Sequence, residues 1–378
     1  ILGDRFGPVA RSLSVLALVI AYMVIVSYQY NAGGAVLHTI LQDDSGTSLI
    51  SVETGTIIAA IFIILYTMLA GLVSVAYTDV ANGIIIISSF IIAIPIFFLE
   101  AGGFEGMANS FASMDKNTHM NFFGVYSLMD IINFCLPSFL LIMGDANMYQ
   151  RFFASKDAKG AKSATKVLIL AVAIAELMII AAAWIASSMI PDAEVGKYVL
   201  IYASHQFLPP FIGAIMMTTI VGIIISTADS YLLVPTTTLI RDIYLNYINN
   251  DANEKTIVML SRALVVVLGI IAYVVSLGFA KSSGFFERAL YAYTIYGAAI
   301  TPSLVAALFW KGATKQGAIT SIIVGTLTTL LWKESSIVKA LIPNNIYNNM
   351  DEVLPAIAFS VMSLVLVSLL TNKKSISS

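Results

Sequence analysis

Long apolar runs separated by short polar stretches recur along the whole chain. Ten read as spans: Leu13–Tyr30, Gly55–Tyr77, Val80–Phe98, Phe123–Met143, Val167–Ile190, Phe211–Val234, Ile257–Phe279, Leu290–Trp310, Ala318–Trp332 and Leu354–Leu370. About 20 apolar residues in a helix cross the roughly 30 Å hydrocarbon core of a bilayer. Spans of that length leave loops too short for a soluble catalytic domain, so residues 1–378 read as one polytopic membrane domain of about ten helices.

Composition agrees with the pattern. Of 378 residues, 58% are hydrophobic and 11% charged, against about 45–50% and about 25% in ordinary soluble domains. Mean hydropathy is +0.89. A soluble chain of this length would hold two or three domains; here too little polar surface exists to cover one. The fold class is all-α membrane protein. Cys135 is the only cysteine, which excludes an intrachain disulfide framework and a thiolate metal cluster. Its place in an apolar run predicts a small buried hydrophobe. His38, His119 and His205 lie near span ends, and no HExxH or nucleophile–base arrangement occurs, so no enzyme and no cofactor is expected.

Lys and Arg gather on the cytoplasmic side of membrane proteins. With alternating spans, fourteen of the 20 fall in one set of loops, led by Arg151, Lys156, Lys159, Lys162 and Lys166. Both ends of the chain are therefore expected in the cytoplasm, in a multi-pass protein of the cell membrane. The chain opens Ile1-Leu2-Gly3-Asp4-Arg5 without an initiator Met, and reads like an interior segment of a longer one.

Ionisable groups inside spans are costly and mark function by default. Asp130, Glu176 and Asp229 are such groups, Asp79 lies at the junction of two spans, and Ser226, Thr227, Asp229 and Ser230 form the densest polar strip. At helical spacing Ser226, Asp229 and Ser230 share a face, where hydroxyls and a carboxylate could ligate a hard cation. The bland alternative is hydroxyls bonded back to carbonyls one turn earlier. Asp79 is placed to cap the helix that follows it. Pro137 predicts the discontinuity of its span, and Pro302 a second interruption. Glu176 has no partner in its own helix and is expected to face a neighbour, a cavity or a ligand.

Four stretches in order resemble the sodium:solute symporter family: YTMLAGLVSVAYTDVANG, MYQRFFASKDAKGAKSATK, IVGIIISTADSYLLVPTTTLIRDIY and TPSLVAALFWKGATKQGAITSIIVG. They depart from the family pattern at Ala70-Gly71, where Gly-Gly is common, and at Gly312, where a second basic residue is usual. The resemblance implies a broken-helix, five-plus-five inverted-repeat transporter. Residues 1–99 then resemble core helices three to five, residues 122–310 core helices six to ten, and residues 311–378 peripheral helices, with core helices one and two absent.

What the resemblance implies is Na+-coupled symport of a small organic solute: a sugar, an amino acid or a carboxylate. Its sodium site would take the Ile223 carbonyl and the Ser226 and Thr227 hydroxyls. A second ion site would use Asp79, Ser226, Asp229 and Ser230, with Asp229 replacing the usual hydroxyl. Solute candidates, by position, are Tyr22, Asn133, Phe134, Ser138, Glu176, Tyr293, Thr294 and Tyr296. A proton-coupled transporter and a membrane sensor on the same fold are the alternatives; no nucleic-acid partner is expected.

Overall fold

A computed structural model describes residues 1–42, 47–69, 72–191, 198–279, 284–343, 347 and 350–372. The basic residues Lys197, Lys281, Lys373 and Lys374 and the pair Ala70-Gly71 lie outside them. Among the described residues there are helices and no strand; one isolated bridge joins Gln42 and Ser48. In chain order the helices are α1 Leu2–Phe6, α2 Pro8–Ile40, α3 Val52–Leu69, α4 Leu72–Glu100, α5 Gly103–Ser113, α6 Leu128–Gly144, α7 Ala146–Phe153 and α8 Ala158–Met189. There follow α9 Val199–Phe207, α10 Pro210–Thr238 with a π-helical extension Leu239–Ile248, α11 Glu254–Phe279, α12 Phe285–Phe309, α13 Lys315–Glu334, α14 Ser336–Leu341 and α15 Val353–Asn372.

Nine of the ten predicted spans each fall on one helix, whereas Gly55–Tyr77 runs from α3 into the start of α4 across residues outside those described; among the described residues nine helices are long and apolar enough to cross a membrane. The exception is α13, which is rich in threonine. Thr320, Thr326 and Thr329 return their hydroxyls to carbonyls one turn back at 2.8, 2.8 and 2.9 Å. Ser321 meets Ser360 of α15 at 2.8 Å, so the polarity of α13 is used against a neighbour.

Four local expectations do not hold. Asp79 does not cap a helix: α4 already begins at Leu72, and Asp79 lies inside it. Neither Pro137 nor Pro302 breaks its helix: α6 runs through Pro137 from a Ser127/Asp130 capping box to Gly144, and α12 runs through Pro302 to Phe309. The discontinuity is at Gly144–Asp145. Cys135 is exposed, because it sits two residues from both Asn133 and Pro137, which face inward, and two positions turn a helix about 200°.

The core forms around α2 and α12, the most buried of the candidate spans; α8 is the least. Tyr22, Tyr30 and Tyr296 are fully buried there. A smaller core of Phe90, Phe97, Met107, Phe111, Ile185 and Met216 joins α4, α5, α8 and α10. Without a hydrophobic drive between helices in lipid, close backbone approach matters. A Cβ on Gly55 would stand 2.6 Å from the Gly34 carbonyl oxygen, so α2 and α3 touch backbone to backbone.

Candidate functional site

The break between α6 and α7 frees backbone groups that lipid cannot satisfy. Tyr296 of α12 satisfies two of them with one hydroxyl: it donates to the Gly144 carbonyl at 2.8 Å and accepts from the Ala146 N–H at 3.1 Å. Asp145 caps α7 by accepting from the Asn147 N–H at 3.2 Å. The buried Tyr22 hydroxyl of α2 donates to the same carboxylate. Tyr231 of α10 and Tyr296 pack on the Tyr22 ring, with centroids 4.6 and 5.4 Å away. Three helices thus converge on the discontinuity through tyrosines. Gly144 is required there, since a Cβ would collide with the Thr301 hydroxyl.

Beside the break, α4 and α10 cross on a line of polar contacts. Ser226 donates to the Asp79 carboxylate, Asn82 reaches the Gly222 carbonyl at 3.5 Å, and Ser89 meets Thr219 at 2.8 Å. From α7, Arg151 Nη2 donates to Asp79 at 2.8 Å and to Ser230 Oγ at 3.1 Å. Asp229 lies next to Ser230, is 1% exposed, and has no hydrogen-bond partner on either carboxylate oxygen among the described residues. With both carboxylates ionised, the one guanidinium leaves this cluster one positive charge short, and a proton on Asp229 would balance it.

The structure brings Asp79, Ser226, Asp229 and Ser230 together on two facing helices. Thr227 follows the bland alternative, donating to the Ile223 carbonyl at 2.9 Å, whereas Ser226 reaches across to α4. Tyr22 and Tyr296 meet at the break. Tyr293 contacts Tyr28, hydroxyl to hydroxyl, at 3.3 Å. Thr294 spends its hydroxyl on the Leu290 carbonyl at 2.9 Å and is buried. Asn133 and Phe134 lie on α6 toward its other end, Phe134 among the rings of Tyr126 and Phe286, and Ser138 lies near the middle of the helix. They do not join the tyrosines at Gly144. Glu176 is exposed on α8.

Gly144, Asp145, Tyr231 and the reach of Arg151 join the site without having stood out in the sequence. Gly-Asp directly after an apolar run is a helix stop followed by a helix cap, a signal present in the chain. Arg151 counted only as a loop charge.

The sequence model of the Sodium:solute symporter family matches residues 1–325. The high-affinity proline transporter PutP of Bacillus subtilis (strain 168) is 28% identical over 381 aligned positions, covering 99% of this chain and 76% of that protein. The osmoregulated proline transporter OpuE of the same organism is 27% identical over 85% of this chain and 64% of its own length. A sodium/proline symporter of Staphylococcus aureus is 27% identical over 84% of this chain and 62% of its own length. Among solved structures, the substrate-bound outward-open state of a Na+-coupled sialic acid symporter superposes with a TM-score of 0.72 at 16% identity, covering 98% of this chain and 76% of that one.

Proposed function

The chain belongs to the sodium:solute symporter family, and from that premise we propose that it moves a small organic solute across the cell membrane with Na+ entering down its gradient. Alternating access needs no covalent chemistry and no cofactor. The driving force is electrical as well as chemical, about 2.3 kcal/mol per charge for each 100 mV. The basic loops put both ends of this segment in the cytoplasm.

The observation that carries the reading is the polar strip of α10. Ser226 bonds a carboxylate on the facing helix, and the Ile223 carbonyl and Thr227 hydroxyl, here bonded to each other, are the further oxygens a hard cation would take. Asp79, Asp229 and Ser230 form the adjoining second ion site. The named relatives carry proline, so an amino acid is the first solute class to test. Tyr22, Tyr296 and Asp145 meet at the break from which α7 carries Arg151 to the ion cluster, and they are the first residues to probe for solute binding.

Uptake of labelled proline into proteoliposomes, titrated with Na+, tests the assignment. Ser226→Ala and Thr227→Ala each raise the Na+ concentration for half-maximal uptake; unchanged Na+ dependence in both refutes the site. One observation favours a second reading. Asp229, buried without a partner, is a place for a proton, and uptake in Na+-free buffer across pH would then persist.

A further inference from the structure

The guanidinium of Arg151 sits on oxygens that a second ion would use. It spans from Asp79 on α4 to Ser230 on α10, at 2.8 and 3.1 Å. Asp229 beside it is bare and buried, and an uncompensated buried charge costs several kcal/mol. In its ionised form Asp229 draws a further cation even with Arg151 in place. The two partners of the ion pair differ in exposure: the Asp79 side chain is 18% exposed and that of Arg151 41%. Rehydrating the arginine as it leaves is correspondingly easy.

Arg151 is carried near the end of the short helix α7, whose start Tyr22 and Tyr296 pin at the break. α7 starts at the Gly144–Asp145 break and is held to α10 also by Gln150 Nε2, which donates to Thr237 Oγ1 at 3.2 Å. We propose that the Arg151 guanidinium is a tethered cation that competes with Na+ for the oxygens of Asp79, Asp229 and Ser230, so that an ion taken up there releases α7 from α4 and α10. This rests on the Na+-symport reading above. The ion is drawn first to Asp229, then shares Ser230 and Asp79 as the guanidinium swings into water. A charge on a short tether acts at an effective concentration on the order of millimolar, enough to oppose a weakly bound ion.

Equilibrium binding of radiolabelled Na+ to the full chain in proteoliposomes tests the competition. Arg151→Gln is expected to bind Na+ about three- to tenfold more tightly, the competitor having been removed. Arg151→Lys gives a smaller gain, since an ammonium cannot fork to two oxygens as a guanidinium does. Adding Asp79→Asn to Arg151→Gln cancels the gain. Binding by Arg151→Gln equal to or weaker than that of the unaltered protein overturns the proposal. If that variant fails to fold, Arg151→Lys decides by the same criterion. Absence of saturable Na+ binding in the unaltered protein sinks the symport reading itself; saturable binding with unshifted Arg151 variants sinks only the competition.

Discussion

One hydroxyl holds the broken helix in register. The Tyr296 oxygen serves both the Gly144 carbonyl and the Ala146 N–H, and both lose that partner if it is removed. Tyr296→Phe keeps the ring and the packing on Tyr22 but strands two polar groups, at about 1–3 kcal/mol each where water cannot replace the bond. A fall in the thermal midpoint of the detergent-purified protein measures it, with Tyr77→Phe, an exposed position, expected to leave the midpoint unchanged. At this scale the sequence spoke unevenly. Ser226 and Asp79 were legible as members of one site because their stretches carry the resemblance. Arg151 was not, because nothing local distinguishes a loop arginine from one that reaches back to a carboxylate 72 positions earlier.

Between elements, the decisive quantity is how near two backbones come. Gly55 and Gly83 are both helical glycines, in different surroundings. A Cβ at Gly55 meets the Gly34 backbone of α2, whereas one at Gly83 meets nothing within 4 Å. Gly55→Ala is expected to destabilise by about 1–3 kcal/mol through overpacking, and Gly83→Ala to stabilise by up to about 1 kcal/mol through helix propensity. Paired melting curves with shifts of opposite sign check this, and shifts of one sign contradict it. The positions of the helices were legible because hydrophobic runs are local. The break was harder to place: proline is the stronger local signal, yet α6 absorbs Pro137, and the stop-and-cap pair Gly144-Asp145 marks the site. The discontinuity falls at Gly144, where two partners from α12, Tyr296 and Thr301, leave no room for a side chain and satisfy the opened backbone. The polar character of α13 is likewise explained only by its packing on α15.

Across the whole molecule, the sidedness rests on charge alone and is directly measurable. In a Cys135→Ser background, Lys116→Cys is expected to react with a membrane-impermeant maleimide added to intact cells, and Lys159→Cys to react only after the cells are opened. The reverse pattern inverts the topology and with it the direction of ion entry. The same chemistry has another use in the unaltered chain. Cys135 is a single native thiol, exposed on α6, about 14 Å along the helix from Gly144 at 1.5 Å per residue. A fluorophore placed there rides on the segment before the hinge, and one engineered cysteine on α7 completes a donor–acceptor ruler across it. The protein thus already carries half of the instrument needed to watch its broken helix bend as salt is added.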